Sequence, residues 1–483
     1  MSAPVATYDD AIAFLFGRIN YERLHSGSYS TRDFKLERMR ELLSLIGDPH
    51  ERLPAVHIAG TKGKGSTAVM TAEVLSAAGY RTGLFTSPHI SAFEERFRVD
   101  GASPGREELV ALVNRLMPAI ETLDAQSATM RPTYFEIATA LAWMHFAESR
   151  ADIAVLEVGL GGRLDATNLC RPEVTAITSI SHDHTAVLGE TLPEIAAEKA
   201  GIIKTGIPVV SGVEDAEARN TIAQFCRDRR APLLELGRDF RYAPVEPFPY
   251  DAAGEWCDAL PCGRIAVTTA RRTWSAVPVA LPGAHQEANA AVAMTMIDSL
   301  LDCGWRIDDA AVERGMSRVQ CPLRIEVLSR RPTVIVDAAH NTASIAALVK
   351  TLDTGFRARR RILVFAASQD KDVRGMLAEL LPAFDTVILT QFSTNPRTVE
   401  VDELDRLVQS FGVHADQASP QAALAWRMAR DAAGPEDLIC VTGSFFLAAE
   451  VRGLLCPTGA ARAREETAEA SLLSRQPSRQ AVD

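Results

Sequence analysis

HIAGTKGKGST, from His57 to Thr67, decides how this chain is read. It lies between a short apolar run, AVHIA from Ala55, which predicts a strand, and a stretch after Gly65 that predicts a helix. At such a junction backbone N–H groups and a helix N-terminus converge, which suits a phosphate. Gly60, Gly63 and Gly65 let the backbone approach an anion with no Cβ in the way. Thr61 lies inside the loop, Lys64 brings a point charge for the terminal phosphates, and Ser66 or Thr67 offers a hydroxyl to magnesium. The spacing is not the generic Walker pattern, because Ile58 stands where its first glycine would be and Gly65 separates Lys64 from Ser66. A glycine-rich turn that binds nothing is the alternative. Three glycines and two lysines at one strand-to-helix junction speak against it.

Outward from this loop, β-branched runs alternate with helical patterns. RTGLFTS from Arg81, IAVLEV from Ile153, VTAITSI from Val174 and IPVVSG from Ile207 predict strands buried on both faces. The alternation implies a doubly wound α/β sheet of the P-loop ATPase type. From about Phe240 to Leu281 a segment rich in proline and aromatic residues predicts a small antiparallel β insertion, and a helix, HQEANAAVAMTMIDSLL, follows. MSRVQCPLRIEVL reads as the crossover to a second, smaller Rossmann-like α/β unit. TVIVDA, RILVFAA, FDTVILTQ and LICVTGS are its strands, with helices near Ala343, Val373, Val401, Pro420 and Phe445. The expected division is 1–318, 319–457 and a polar, disordered tail over 458–483.

The 483 residues are too many for one ordinary core. Apolar residues at 47% and charged residues at 23% fit a globular protein. A net charge of −11, with both signs interleaved, argues against nucleic acid as a partner but leaves room for a small anion. No secretory leader and no membrane-length apolar run is evident. Of the eight cysteines only Cys257 and Cys262 are close, so reduced thiols of a cytoplasmic protein are expected rather than a zinc site.

Several polar residues end predicted strands. Glu157, in LEVGLGGRLDATN, closes an apolar strand near the phosphate loop, where a carboxylate is well placed for magnesium. In SHDHTAVLG, His184 ends VTAITSI on the same sheet edge. TSPHISAFEERFRVDG follows the second strand, and by itself reads as a turn at Ser87 and His89 with Pro88 fixing the backbone. Lys199, in AAEKAGIIKTGIPVV, is by composition an exposed helix lysine.

Taken together, GTKGKGS resembles the phosphate loop of the Mur ligase superfamily, and its Lys-Gly-Ser ending resembles the folylpolyglutamate synthase and dihydrofolate synthase branch. About eight ordered segments from Phe34 to Val451 carry the resemblance. It implies that Ser66, Ser87, Glu157 and His184 hold two magnesium ions and that Lys199 carries a carbamate, whose formation requires the neutral amine. It implies ATP contacts from Asn289, in a helix that also carries His285 and Gln286, and from Arg324, Asp337 and His340. ASQDKDV and TGSFFLAAEV are assigned to the amino-acid pocket or packing near it. Two positions depart from the family. Lys62 replaces an asparagine, so its charge either meets phosphate or points to solvent. Leu323 replaces the glycine before Arg324.

The activity so implied is an ATP-dependent ligase that adds L-glutamate to dihydropteroate or to a tetrahydrofolate glutamate through an acyl phosphate. Lys64, magnesium and Arg324 would neutralise the phosphates, and domain closure would exclude water. Phe135, in PTYFEIATALAWM, either stacks on the pterin or belongs to the core. A monomer acting on small molecules, without nucleic acid or membrane, is expected. A cell-wall precursor ligase, a non-catalytic nucleotide-binding regulator and a plain phosphate-loop kinase are the rivals.

Overall fold

The computed structural model describes residues 3–22, 33–246 and 263–456. Cys257, Cys262, part of the antiparallel segment and the tail from 458 therefore lie outside the described residues. The chain divides into two compact units, Met1–Cys321 and Pro322–Asp483.

In the first unit β1 (Pro54–Ala59), β2 (Thr82–Phe85), β3 (Phe97–Val99), β4 (Ile153–Glu157), β5 (Arg171–Ile177), β6 (Val209–Ser211) and β7 (Leu233–Glu235) form one sheet in the order β3-β2-β4-β1-β5-β6-β7. All pairs are parallel except β2 with β3. The continuous apolar runs have a plain cause, since both faces are covered. Val56, Ile58 and Val155 join one core with the helices Lys64–Ala77 and Ala284–Asp302, while Ala55, Ala154 and Leu156 join another with Arg106–Gln126 and Tyr134–Glu148. Chain order runs leftward from β1 to β2 and rightward from β5 to β6, so the carboxyl ends of β1 and β5 border a switch point, the usual place for a ligand crevice.

The antiparallel insertion consists of β8 (Arg241–Glu246), β9 (Gly263–Thr268) and β10 (Thr273–Val279). It is not a separate body, because Ile265, Val267, Trp274 and Val277 sit in the same core as the helix Ala284–Asp302.

The second unit holds β11 (Glu326–Arg330), β12 (Thr333–Val336), β13 (Arg361–Phe365), β14 (Thr386–Thr390), β15 (Gln417–Ser419) and β16 (Leu438–Thr442), in the order β11-β12-β16-β13-β14-β15. It is parallel except for β11 with β12. The helices expected there run Thr342–Gly355, Val373–Leu380, Val401–Gln409, Ala422–Ala432 and Phe445–Leu455. The strands that no apolar run announced, β3, β7, β11 and β15, all lie at or next to sheet edges. Edge strands are short and half-solvated, so they carry no continuous apolar signal. Among the described residues no helix is long and apolar enough to cross a membrane.

Candidate active site

The loop leaving β1 is stitched to the end of β5. Thr61 N–H donates to Ser179 O at 2.8 Å, Lys62 N–H donates to Ser179 Oγ at 2.9 Å, and Thr178 Oγ1 donates to Lys62 O at 2.5 Å. Thr61 Oγ1 accepts from Ser181 N–H at 3.1 Å. Two glycines are required by space as well as by backbone. At Gly60 (φ +152°) a Cβ would fall 2.0 Å from Thr178 Oγ1, and at Gly63 (φ +82°) it would fall 2.1 Å from Asn289 Oδ1. Asn289 is buried, and its amide donates to Gln286 Oε1 at 3.0 Å, so the predicted ATP-contact helix packs directly on the phosphate loop.

The helix Lys64–Ala77 starts at Gly63 with no capping side chain and no acidic residue in its first turn. Its first N–H groups and the positive end of its dipole are thus left for an anion. Helices elsewhere in the chain, at Thr133, Thr191 and Asn341, are capped by their own side chains. Lys64 Nζ donates to Gly60 O at 3.0 Å and so lies over the loop.

The predicted metal residues of β4 and β2 meet here. The Glu157 carboxylate is buried, and its Oε2 accepts Ser87 N–H at 3.1 Å. A Cβ on Gly65 would stand 3.3 Å from that oxygen, which places the carboxylate against the phosphate loop. Ser66 is buried and makes no side-chain hydrogen bond among the described residues, while the buried Thr67 Oγ1 has no partner. His184 adopts φ +50° at the end of the β5 loop, and its N–H donates to Asp183 Oδ1 at 3.1 Å. The charge added at Lys62 has a definite partner, since its ammonium lies 3.0 Å from Asp183 Oδ2.

Lys199 departs from its compositional reading, because it is only 4% exposed. Its helix, Leu192–Ala200, closes on the glycine turn after β4. A Cβ on Gly201 would lie 2.3 Å from Arg163 Cβ, and one on Gly162 would lie 2.9 Å from Lys199 O. Burial, aided by the nearby Lys64 and Lys62 and opposed by Asp183 and Asp165, pushes its amine down to about 7.

Hydroxyls and one carboxylate beside a phosphate cradle are hard oxygen donors, which fit magnesium. That ion takes few protein ligands and completes its shell with phosphate oxygens and water. Among the described residues, no group of three His, Cys, Asp or Glu side chains is arranged to hold a metal ion.

In the second unit, Leu323 adopts φ +62° and Ile325 φ +50° on either side of Arg324. The missing glycine is therefore replaced by a leucine held in the left-handed region. Asp337 anchors this turn: its carboxylate accepts Ile325 N–H and Ala339 N–H, each at 2.8 Å. Both oxygens thus serve the chain itself. Arg324 makes no hydrogen bond or ion pair among the described residues; burial pushes the Asp337 carboxyl up, and the charge of Arg324 opposes that shift. The His340 ring donates from Nδ1 to Ala338 O at 2.8 Å. Phe135 is half-buried, edge-on to Phe85 at 5.7 Å, with its ring tip filling the space left by Gly159.

Sequence reasoning missed the supports. Asp165 accepts the N–H groups of Gly159 and Leu160 at 3.1 and 3.0 Å and the Thr167 hydroxyl at 2.5 Å. Because that hydroxyl donates to a carboxylate, the buried His57 must donate its Nε2–H to Thr167 Oγ1, 2.8 Å away. Burial holds His57 neutral, down to about 3. An aspartate inside a glycine-rich loop was the available signal for this anchor.

Comparison with known proteins matches residues 58–297 to the Mur ligase middle domain and residues 323–445 to the Mur ligase glutamate ligase domain. The chain is 33% identical over 455 residues to a dihydrofolate synthase/folylpolyglutamate synthase of Bacillus subtilis, covering 92% of this chain and 98% of that one. Its fold is similar to that of a Mycobacterium tuberculosis folylpolyglutamate synthase solved with ADP, with a TM-score of 0.82, 31% identity and 94% and 100% of the two chains covered. A folylpolyglutamate synthase of Thermotoga maritima gives a TM-score of 0.79 at 29% identity, over 93% and 97%.

Proposed function

Since the chain belongs to the folylpolyglutamate synthase/dihydrofolate synthase family of Mur ligases, we propose that it is an ATP- and magnesium-dependent ligase that joins L-glutamate to dihydropteroate, to a tetrahydrofolate glutamate, or to both. The observation that carries this reading is the Glu157 carboxylate lying against Gly65, beside an uncapped helix start and a buried, near-neutral lysine.

A carboxylate does not react with an amine at neutral pH, so ATP must activate it. The γ-phosphoryl passes to the folate carboxylate to give an acyl phosphate. The glutamate amine attacks the acyl carbon, and phosphate leaves. The transferred group is anionic throughout, so the chain's part is positioning and charge neutralisation. The N–H groups at Gly63–Gly65 and the Lys64 ammonium receive the phosphates, and Arg324 is assigned to an anionic substrate group. Ser66, Ser87, Glu157 and His184 are assigned as holders of magnesium, which supplies charge neutralisation on the phosphoryl oxygens. Lys199, its amine pushed down to about 7, has a large neutral fraction near neutral pH; that amine can add carbon dioxide, releasing a proton, and become an anion in the same place. The protein is proposed to act as a cytoplasmic monomer.

The test is glutamate-dependent release of phosphate from ATP, run separately with dihydropteroate and with tetrahydrofolate, beside Lys64→Ala. Turnover with either substrate, lost in the variant, is expected. Turnover with neither, in protein that still binds ATP, would overturn the folate assignment.

A further inference from the structure

The loop between β2 and β3 is held from behind by a buried arginine. Arg96 is 1% exposed. Its two terminal nitrogens donate to the two oxygens of Glu22 at 2.8 and 2.6 Å, its Nε donates to His89 Nδ1 at 2.8 Å, and its guanidinium lies 5.1 Å from the centre of the Tyr134 ring. The backbone is engaged too, because Arg96 O accepts Thr86 N–H at 2.9 Å. One residue earlier, the Glu95 carboxylate accepts the N–H groups of Ile90, Ser91 and Ala92 at 2.7, 3.2 and 3.1 Å. Glu94 accepts the Tyr8 hydroxyl at 2.9 Å. Three consecutive side chains thus fasten this loop and the N-terminal segment to one another.

The loop so fastened begins with Ser87, whose N–H sits on Glu157 Oε2. The Arg96 side chain grips it at His89, and the main chain at position 96 holds it at Thr86 on the other side of that contact. A guanidinium taken out of water is costly unless its whole fork is paired. This one is paired only when Glu22 and His89 are both in place. Its Nε can only donate, so His89 Nδ1 must be bare, which keeps that imidazole in one neutral tautomer.

We propose that Arg96 is a positioning residue for the Glu157 carboxylate. By holding His89 it sets the Ser87 N–H on one carboxylate oxygen and so fixes how Glu157 is presented to magnesium. Glu22 sets Arg96 in turn, which makes the N-terminal segment a support of the active site. The inference rests on the metal role assigned to Glu157 above.

The test is Mn2+ binding, read by electron paramagnetic resonance in the presence of a non-hydrolysable ATP analogue, beside thermal unfolding. Arg96→Lys removes the fork, Glu22→Gln removes its counter-charge, and His89→Ala removes the grip on the loop while leaving the buried pair intact. His89 is only half-buried and the Arg96–Glu22 pair remains in that variant, so it is expected to perturb folding less than the other two, which thermal unfolding checks. Weakening of Mn2+ binding by about tenfold or more is expected in His89→Ala and in each other variant that folds. Affinity for the analogue without metal should be unchanged. Wild-type Mn2+ affinity in folded His89→Ala would overturn the inference alone. Wild-type protein that binds no Mn2+ beside the analogue would overturn the metal role of Glu157, and this inference with it.

Discussion

Lys199 carries the clearest consequence at the scale of one residue. Its amine in the folded protein sits near 7, below the 10.5 of a free lysine, because burial disfavours the cation. Between those values the unfolded chain holds more protons than the folded one, so folding loses stability as pH falls from about 10.5 toward 7 and is flat below. Lys199→Met removes this burden. In carbon-dioxide-free buffer its melting temperature should exceed that of the wild type by a margin that grows as pH falls from 10 to 7, while ligase activity disappears. An unchanging margin would mean that the lysine is not buried as a neutral amine. Leu323 sets two effects against each other. Glycine would relieve about 1–2 kcal/mol of left-handed strain, but it would also empty a fully buried leucine site, worth about 2–5 kcal/mol. The packing loss is larger, so Leu323→Gly should destabilise the chain in urea unfolding even though glycine is the family's residue there.

Among the elements, the helix Lys64–Ala77 and its entry loop separate conformational cost from function. Gly63 and Gly79 both have positive φ, +82° and +93°, so alanine strains either one. Only at Gly63 would the new Cβ meet another group, Asn289 Oδ1, whereas nothing lies within 4 Å of Gly79. Both substitutions should lower the melting temperature by a few degrees. Only Gly63→Ala should weaken ATP binding, by about tenfold or more, when affinity is read by calorimetry. Equal affinities in the two variants would count against phosphate binding at this loop. The strands show a parallel contrast. Central β1, β4 and β5 were legible because both faces are buried, whereas β3 and β15 have only three residues each and one paired neighbour.

On the scale of the whole molecule, the two units have separate sheets and are joined at Cys321–Pro322. Buried strands β12, β13, β14 and β16 give the second unit its own core, with helices following them in sequence. A fragment spanning Pro322–Cys456 should therefore unfold cooperatively by itself, as followed by circular dichroism in urea. A fragment without a cooperative transition would show that the second core is incomplete alone. The antiparallel insertion has no such independence, because Trp274 and Val277 are buried against the first unit's own helices.

Periodicity, glycine placement and motif order were enough, from the sequence by itself, to establish the doubly wound units and the family, and to single out the glycine-rich loop after β1 as the candidate phosphate site. Those features are local: a buried strand, a strand-to-helix turn and a spacing can each be read from a few adjacent residues. Tertiary structure alone decided the rest. It buried Lys199, whose helix packs on the glycine turn after β4, paired Lys62 with Asp183, turned both oxygens of Asp337 onto the chain, and brought Glu22 to Arg96 across 74 positions. Charge state and orientation depend on burial and on partners distant in sequence, and no local pattern encodes them.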